Sequence, residues 1–122
     1  MSEKKKEILI IDDSTDAIKV LIKVLTPEFT VYFSTDGFKG IEQAKDKKPD
    51  LILLDILMDK INGYEVCKLL KRDKETADIP VIFLTAVSES MDEAQAFSIG
   101  GADYITKPFV PVIVLARIRN HI

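Results

Sequence analysis

Two stretches of the chain consist of consecutive apolar residues that end in acidic ones. Residues 8–11 precede Asp12 and Asp13, and residues 51–54 precede Asp55. A run of four apolar residues without alternation is typical of a strand that is buried on both faces, as in a parallel sheet covered by helices. Each run is therefore predicted to be such a strand, with its acidic residues at the point where the strand leaves the sheet.

Strand and helix patterns alternate five times along the chain. Further strands are predicted at 30–34, 81–84 and 102–106, and helices at 14–25, about 38–48, 64–72, about 89–99 and 111–122. This alternation is typical of βαβ units, which place a parallel sheet between helices. A chain of 122 residues is too short for an eight-stranded barrel. We therefore expect a doubly wound α/β fold of the flavodoxin-like kind, a five-stranded parallel sheet in the order 2-1-3-4-5 with five helices on both faces.

The composition fits a single domain over residues 1–122, in which 47% of the residues are hydrophobic. Residues 1–6 are predicted to be a polar tail, and no output domain is expected within this segment, whether it is free-standing or part of a larger regulator. The net charge of −3 argues against direct nucleic-acid contact. No apolar run approaches the roughly 18 residues of a membrane span. The single cysteine, Cys67, suits a reducing compartment, so a cytoplasmic location is expected.

Apolar stripes predict which helical residues face the core. They are Val66, Leu69 and Leu70 in the helix at 64–72, and Leu115, Ile118 and Ile122 in the last helix. Ile113 and Val114 lie off the second stripe. They are expected either to be covered by the loop at 109–110 or to be exposed, and exposure would offer an output domain or a second copy an interface on the last two helices.

Polar residues end four of the predicted strands, and they are Asp12 with Asp13, Asp55, Thr85 and Lys107. The carboxyl ends of parallel strands meet at one edge of the sheet, where ligands bind in open α/β folds. Three carboxylates placed there repel one another unless a cation joins them, and oxygen ligands suit a hard cation such as Mg²⁺. Magnesium serves phosphate chemistry, so the acids with a lysine and a hydroxyl predict phosphoryl transfer onto Asp55.

The same residues lie in motifs that resemble the receiver domain of two-component response regulators. The matching pieces are the first strand with Asp12-Asp13, residues 53–55 with Met58 and Gly63, the strand before Thr85-Ala86, and residues 101–109, which read Gly-Ala-Asp-Tyr-Ile-Thr-Lys-Pro-Phe. The resemblance extends from about residue 5 to residue 122. One departure is Asp59, which stands where proline often follows the methionine and is expected to point outward.

The resemblance implies how the acids are used. Asp55 would accept a phosphoryl group from a phosphohistidine on a sensor histidine kinase or a histidine phosphotransfer domain. Asp13 and Asp55 would bind Mg²⁺ or Mn²⁺ directly, together with the backbone carbonyl of Leu57. Asp12 would act on the metal through water.

It also implies how phosphorylation is sensed. Lys107 would contact the phosphoryl group, and its bond to Pro108 is expected to be cis. Thr85, with Ala86, would bond to the phosphoryl group, and Tyr104 would swing inward behind Thr85. Such a conformational switch would change the contacts with a partner or an output domain.

Each residue taken alone also has a structural reading, and other functions are open. Asp12 and Asp13 could cap the first helix, and Thr85 could be an ordinary strand residue. A phosphatase that works through an aspartyl phosphate commonly has a second acid where this chain has Leu57, so a dedicated enzyme is not expected. A flavin-binding protein would need a phosphate loop at Asp12-Asp13, where acids repel phosphate. The remaining alternative is a degenerate receiver that only docks partner proteins, which the complete set of acids disfavours.

Overall fold

The structure of the protein, a computed structural model, describes residues 4–86 and 98–122. The elements are β1 (Glu7–Ile11), α1 (Thr15–Leu25), β2 (Thr30–Ser34), α2 (Gly37–Lys47), β3 (Leu51–Asp55), α3 (Gly63–Arg72), β4 (Val81–Ala86), β5 (Asp103–Lys107) and α4 (Pro111–Asn120). Four helices are present in the part of the chain that the structure describes. The predicted helix at about 89–99 lies almost entirely outside it.

The five strands form one sheet in the order β2-β1-β3-β4-β5, and every neighbouring pair is parallel. The predicted strand order is therefore confirmed. The order reverses beside β1, because the chain goes from β1 outward to β2 and then returns to β3 on the other side. A switch of this kind opens a crevice at the carboxyl ends of β1 and β3.

The apolar runs form strands that are buried on both faces, as the sequence predicts. All four side chains from Leu51 to Leu54 are fully buried. Ile52 and Leu54 pack with α2 and α3 on one face, while Leu51 and Leu53 pack with α1 and α4 on the other. Burial of each such side chain contributes roughly 1.5–3 kcal/mol. The two central strands are thus held firmly in the interior, and their carboxyl ends are held with them.

Side-chain caps begin three of the helices. Ser14 accepts a hydrogen bond from the Ala17 backbone N–H at 3.2 Å, and Asn62 accepts one from the Glu65 N–H at 3.0 Å. Asp36 caps α2 in the same way. The fourth helix has no side-chain cap and starts at Pro111, whose missing N–H needs no partner there.

The predicted core face of α3 is wrong at one residue. Val66 and Leu70 are fully buried, but Leu69 is 39% exposed and the buried position beside them is taken by Cys67. Leu69 faces the opening between α2 and α3, where it lines a groove together with Phe38. The Cys67 thiol is buried, and this burial raises its pKa, so it behaves as a small apolar side chain.

The predicted face of the last helix is confirmed at Ile118, is wrong at Ile122 and omits Val114. Val114 and Ile118, four residues apart, are the fully buried pair, and Leu115 is only half-buried. Ile122 is 42% exposed because α4 ends at Asn120, before the expected stripe is complete. Ile113 is 46% exposed, so of the two residues expected to be available for an interface only Ile113 is on the surface.

Among the helices within residues 4–86 and 98–122, none has both the length and the apolar character needed to cross a membrane.

The packing of α4 predicts that two Ile→Ala substitutions lower the free energy of unfolding by different amounts. Ile118→Ala empties a fully buried site, so we expect it to lower the free energy of unfolding by about 2–5 kcal/mol. Ile122→Ala lies on an exposed end of the chain and should cost less than about 1 kcal/mol. Urea unfolding monitored by circular dichroism measures both. Equal losses for the two variants would show that α4 docks by a different face.

Candidate functional site

Three carboxylates meet at the carboxyl edge of the sheet. Asp12 and Asp13 follow directly after β1, and Asp55 is the last residue of β3. Because Ile11 is paired with Leu54 in the parallel register, Asp12 lies beside Asp55 on the neighbouring strand. One carboxylate oxygen from each of the three acids lies within 4.8 Å of the others. The register of β1 and β3 therefore brings together the three acids that are predicted from the sequence to share one edge of the sheet.

The start of α1 shows that the first two acids are not its cap. The Ser14 hydroxyl caps the helix, which leaves the Asp13 side chain exposed at the edge of the site. Asp12 points into the interior, where its Oδ1 accepts a hydrogen bond from the Ser14 backbone N–H at 2.9 Å. The Asp12 backbone N–H donates to the Ser34 carbonyl at 3.1 Å. Asp12 is thus fixed from both sides while Asp13 remains accessible.

Lys107 provides positive charge to this cluster. Its Nζ lies 3.2 Å from Asp12 Oδ2 and 3.6 Å from Asp55 Oδ1. Asp12 is fully buried, yet its Oδ2 accepts no hydrogen bond of good geometry from any residue that the structure describes. One ammonium group faces three acids, so the cluster is short of positive charge.

The shortage of positive charge is visible in the protonation of Asp55. The pKa of Asp55 is raised to about 7, first by burial of its carboxyl group and next by the negative charge of Asp12, with a smaller contribution from Asp13. The Lys107 charge acts in the opposite direction and only partly compensates. Without a further cation, the Asp55 carboxyl is therefore protonated in a large part of the molecules near neutral pH.

The donors fit a hard divalent cation. All three side chains offer carboxylate oxygens, and the Lys107 ammonium beside Asp12 and Asp55 offsets only one of the three negative charges. Mg²⁺ takes one or two carboxylates and several waters, so two acids can bind it directly and the third through water. The backbone carbonyl of Leu57 stays a prediction as a further ligand. The Leu57 side chain is 58% exposed beside the site.

The other wall of the site comes from β4 and β5. Thr85 is almost fully buried near the end of β4, and Ala86 is half-buried beside it. Ala86 is paired with Lys107 in the sheet, so both residues lie at the same edge as the acids. The bond between Lys107 and Pro108 is cis, as expected. Asp59 is exposed, as expected.

Tyr104 lies away from the acid cluster. It is paired with Phe83 in the sheet, three residues before Lys107, and it is half-buried. Its side chain packs against the apolar cluster on the α2 and α3 face. Tyr104 therefore contacts the core on the α2 and α3 face of the sheet and is not part of the carboxylate cluster.

Gly63 has a role that the sequence alone did not reveal. Its backbone N–H donates to the Ile56 carbonyl at 2.7 Å, which folds the loop after Asp55 back onto the end of β3. A Cβ atom at Gly63 would lie 2.2 Å from the backbone oxygen of Asp55. Only glycine allows this approach, so Gly63 sets the position of the Asp55 main chain.

Comparison with known proteins decides the family. Residues 8–119 match the family model described as the response regulator receiver domain. The chain belongs to the response regulator receiver family. Receiver domains act in two-component signal transduction, and the acid cluster described above occupies the place of their Mg²⁺-binding pocket.

Individual relatives extend this comparison. The chain is 43% identical over 115 residues to the DNA-binding dual master transcriptional regulator RpaA of Synechocystis, and 37% identical over 115 residues to the alkaline phosphatase synthesis transcriptional regulatory protein PhoP of Bacillus subtilis. These matches cover 92% and 93% of the chain but 47% of each relative. The receiver thus spans about half the length of the curated relatives that it matches.

Solved structures share the fold. The response regulator domain of Thermotoga maritima CheB superposes with a TM-score of 0.85 at 30% identity, covering 97% of this chain and 96% of that one. Vibrio cholerae CheY4 superposes with a TM-score of 0.90, covering 97% and 99%, and at 21% identity this likeness concerns the fold alone.

The raised pKa of Asp55 predicts how the metal-free receiver responds to pH. The folded state holds this proton more tightly than the unfolded chain, so Asp55 makes the protein more stable as the pH falls through about 7. We expect Asp55→Asn to raise the free energy of unfolding by on the order of 2 kcal/mol at about pH 8 and by much less at about pH 5.

Denaturant unfolding in EDTA at the two pH values measures this difference. Asp46→Asn, which changes an exposed acid paired only with Lys47, serves as the matched control and should show no such dependence. If Asp55→Asn raised the free energy of unfolding equally at both pH values, the proposed lack of positive charge around Asp55 would be contradicted.

The close approach of Gly63 predicts a second effect. Gly63→Ala forces a backbone shift at Asp55, so we expect a loss of on the order of 2 kcal/mol in stability and a clear weakening of Mg²⁺ binding. In Gly40→Ala the atoms nearest the new Cβ belong to the Ile11 side chain, at 2.7–3.0 Å, and not to the main chain, so Mg²⁺ binding should be weakened less than in Gly63→Ala. Urea unfolding and Mg²⁺ titration compare the two variants. Undiminished Mg²⁺ binding by Gly63→Ala would contradict its positioning role.

Proposed function

We propose that this receiver is the phosphoacceptor of a two-component or phosphorelay system and that Asp55 accepts the phosphoryl group. The observation that carries the proposal is the position of Asp55. It is an acid at the end of a buried strand, within 3.6 Å of Lys107 and within reach of two further carboxylates. In the reaction an Asp55 oxygen forms a bond to phosphorus. The bond from phosphorus to the donor imidazole nitrogen breaks, and that nitrogen keeps the electron pair.

The acids prepare Asp55 for this reaction. Asp12, Asp13 and Asp55, with the Leu57 carbonyl, would hold Mg²⁺ or Mn²⁺, which offsets the repulsion between a carboxylate and the phosphoryl oxygens when bound. Asp55 must be ionised to attack, and its raised pKa means that it is often protonated in the absence of that cation. The cluster thereby links the nucleophile's charge to occupancy of the metal site.

Lys107 is suited to hold the phosphoryl group. It already contacts Asp12 and Asp55, its side chain is 27% exposed, and its ammonium carries three donors. When Asp55 becomes an acyl phosphate, Lys107 can exchange its contact with the carboxylate for one with a phosphoryl oxygen. Pro108 follows it directly and sets the direction of the chain at this point.

Phosphorylation of Asp55 would change the contacts of Thr85, Ala86 and Tyr104. An acyl phosphate adds negative charge and three strong acceptors, to which the Thr85 hydroxyl and the Ala86 backbone N–H can donate. The Thr85 hydroxyl donates to the Ala86 carbonyl at 3.4 Å, a long hydrogen bond that it can exchange for one to a phosphoryl oxygen. Its movement would leave space behind it for the Tyr104 ring. A bias of a few kcal/mol is enough to shift such a two-state equilibrium.

The surface around the site suits contact with other proteins. Leu57, Val110 and Val112 are apolar and 46–72% exposed, next to the edge that carries Asp55. We propose a sensor histidine kinase or a histidine phosphotransfer domain in the cytoplasm as the phosphodonor. An output domain or a second copy would then meet the last helices. On α4 the exposed Val112 and Ile113 are available for that contact, and Val114 is not.

The proposal predicts the outcome of phosphorylation by a small donor. After incubation with acetyl phosphate and Mg²⁺, intact-mass spectrometry should show one added phosphoryl group, because the site itself supplies the catalytic groups. Asp55→Asn should abolish the adduct, and removal of Mg²⁺ with EDTA should reduce it at least about tenfold. Asp59→Asn, a nearby exposed acid, should leave it unchanged.

Failure of the wild type to form an adduct would overturn the proposal and favour a degenerate receiver that only docks partner proteins. An adduct that persists in Asp55→Asn would place the phosphoacceptor at another acid.

A further inference from the structure

The Arg117 side chain of α4 contacts Asp103 and Tyr104 of β5 and so forms a bridge around the edge of the sheet. β5 is an edge strand, and its successive side chains point to opposite faces. Ile105 packs with Val114 and Ile118 of α4 on one face. Tyr104 packs with the apolar cluster on the other face. The sheet therefore separates Tyr104 from the last helix, and direct contact between them has to pass around the edge.

Arg117 makes this contact. It belongs to α4, yet its guanidinium carbon lies 5.7 Å from the centre of the Tyr104 ring. A guanidinium over a tyrosine face within about 6 Å is attracted by the ring electrons. Its Nη1 also lies 3.1 Å from Asp103 Oδ1, the residue before Tyr104. The Arg117 side chain of α4 thus contacts both Asp103, the residue before Tyr104, and the Tyr104 ring.

Asp103 fixes the geometry of this bridge. Its Oδ1 accepts a hydrogen bond from the Tyr104 backbone N–H at 2.8 Å as well as the one from Arg117. Its Oδ2 lies 3.1 Å from His121 Nε2, just beyond the end of α4. The Asp103 side chain is only 13% exposed, so water competes little for these contacts. Arg117 is therefore held in place by Asp103 and not merely resting on the ring.

We infer that Arg117 is a positioning residue that holds the Tyr104 ring at the sheet edge and opposes its inward movement. The inference rests on the proposed function, in which Tyr104 moves behind Thr85 on phosphorylation. Inward movement takes the ring away from the guanidinium, so the contact stabilises the unphosphorylated arrangement only. By linkage, whatever frees Tyr104 from Arg117 must favour phosphoryl binding at Asp55 by the same factor.

Loss of the Arg117 contact with Tyr104 is expected to increase the affinity for a phosphoryl mimic by a modest factor. A cation–π contact at a partly exposed site is worth about a two- to fivefold change in an equilibrium constant. Arg117→Gln should therefore tighten the binding of beryllofluoride, a phosphoryl mimic, in the presence of Mg²⁺ by about two- to fivefold. Arg119→Gln is the matched control. It removes the same charge from the same helix, but Arg119 pairs with Glu28 and does not bridge to Tyr104.

Two further variants separate a positioning role from a general loss of charge or stability. Arg117→Lys keeps a cation that can reach Asp103 and the ring, so it should restore most of the wild-type affinity. Tyr104→Leu keeps apolar volume but removes the ring. In a Tyr104→Leu background Arg117→Gln should have no effect on beryllofluoride affinity, because the partner through which it acts is gone.

A spectroscopic readout follows the ring directly. With 3-fluorotyrosine in place of the three tyrosines, the protein gives three ¹⁹F signals, and Tyr104→Phe assigns one of them. Arg117→Gln should move the Tyr104 signal toward its beryllofluoride-bound position without ligand. Arg119→Gln should leave it in place.

The outcomes distinguish the inference from the function on which it rests. If the wild-type protein bound no beryllofluoride, the proposed function itself would be contradicted. Wild-type binding with equal affinities for Arg117→Gln and Arg119→Gln would overturn the inference alone. An effect of Arg117→Gln that persists in Tyr104→Leu would also overturn it. So would an effect that depends on protein concentration, because Arg117 would then act between molecules.

Discussion

Repulsion among carboxylates at the ends of two parallel strands is the constraint on which this structure depends. Asp12 and Asp55 are buried side by side, and Asp13 lies within the same 4.8 Å. One lysine cannot neutralise three acids, and burial weakens the help that water would give. The fold tolerates the cluster because the strands beneath it are fixed by apolar burial on both faces. In the proposed function, a cation that relieves this repulsion would also favour phosphoryl transfer to Asp55.

The rest of the site keeps the acids in place or responds to them. Ser14 caps α1, so neither Asp12 nor Asp13 is needed as the cap. Gly63 folds the following loop onto the Asp55 main chain. At the β5 edge of the sheet Arg117 connects Tyr104 with α4, so the proposed movement of Tyr104 would change a contact of the last helix.

Much of this arrangement could be predicted from the sequence, because its signals are local. The apolar runs before Asp12 and Asp55 are typical of strands buried on both faces, and the alternation of elements favours a parallel sheet. The strand order follows from the flavodoxin-like arrangement that this alternation favours, and it is confirmed. Together they placed the acids, Thr85 and Lys107 at one edge before any distance was known.

What the sequence did not determine depends on how elements dock. α4 carries apolar residues from Val112 to Leu115, so its local pattern fits several stripes, and the predicted stripe includes the exposed Ile122 and omits the buried Val114. Only the packing on Ile105 selects Val114 and Ile118. Leu69 was misplaced for the same reason, since Cys67 takes the buried position in α3. The contact of Arg117 with Asp103, fourteen residues earlier, follows from that docking and leaves no mark in the local pattern.

In the proposed function Asp55, and not one of the acids beside it, becomes phosphorylated. Borohydride reduces an aspartyl phosphate to homoserine, and peptide mass spectrometry then locates the reduced residue. After phosphorylation with acetyl phosphate and Mg²⁺, we expect homoserine at position 55. Homoserine at position 12 or 13 would contradict the account, because it would make Asp55 a metal ligand and one of its neighbours the nucleophile.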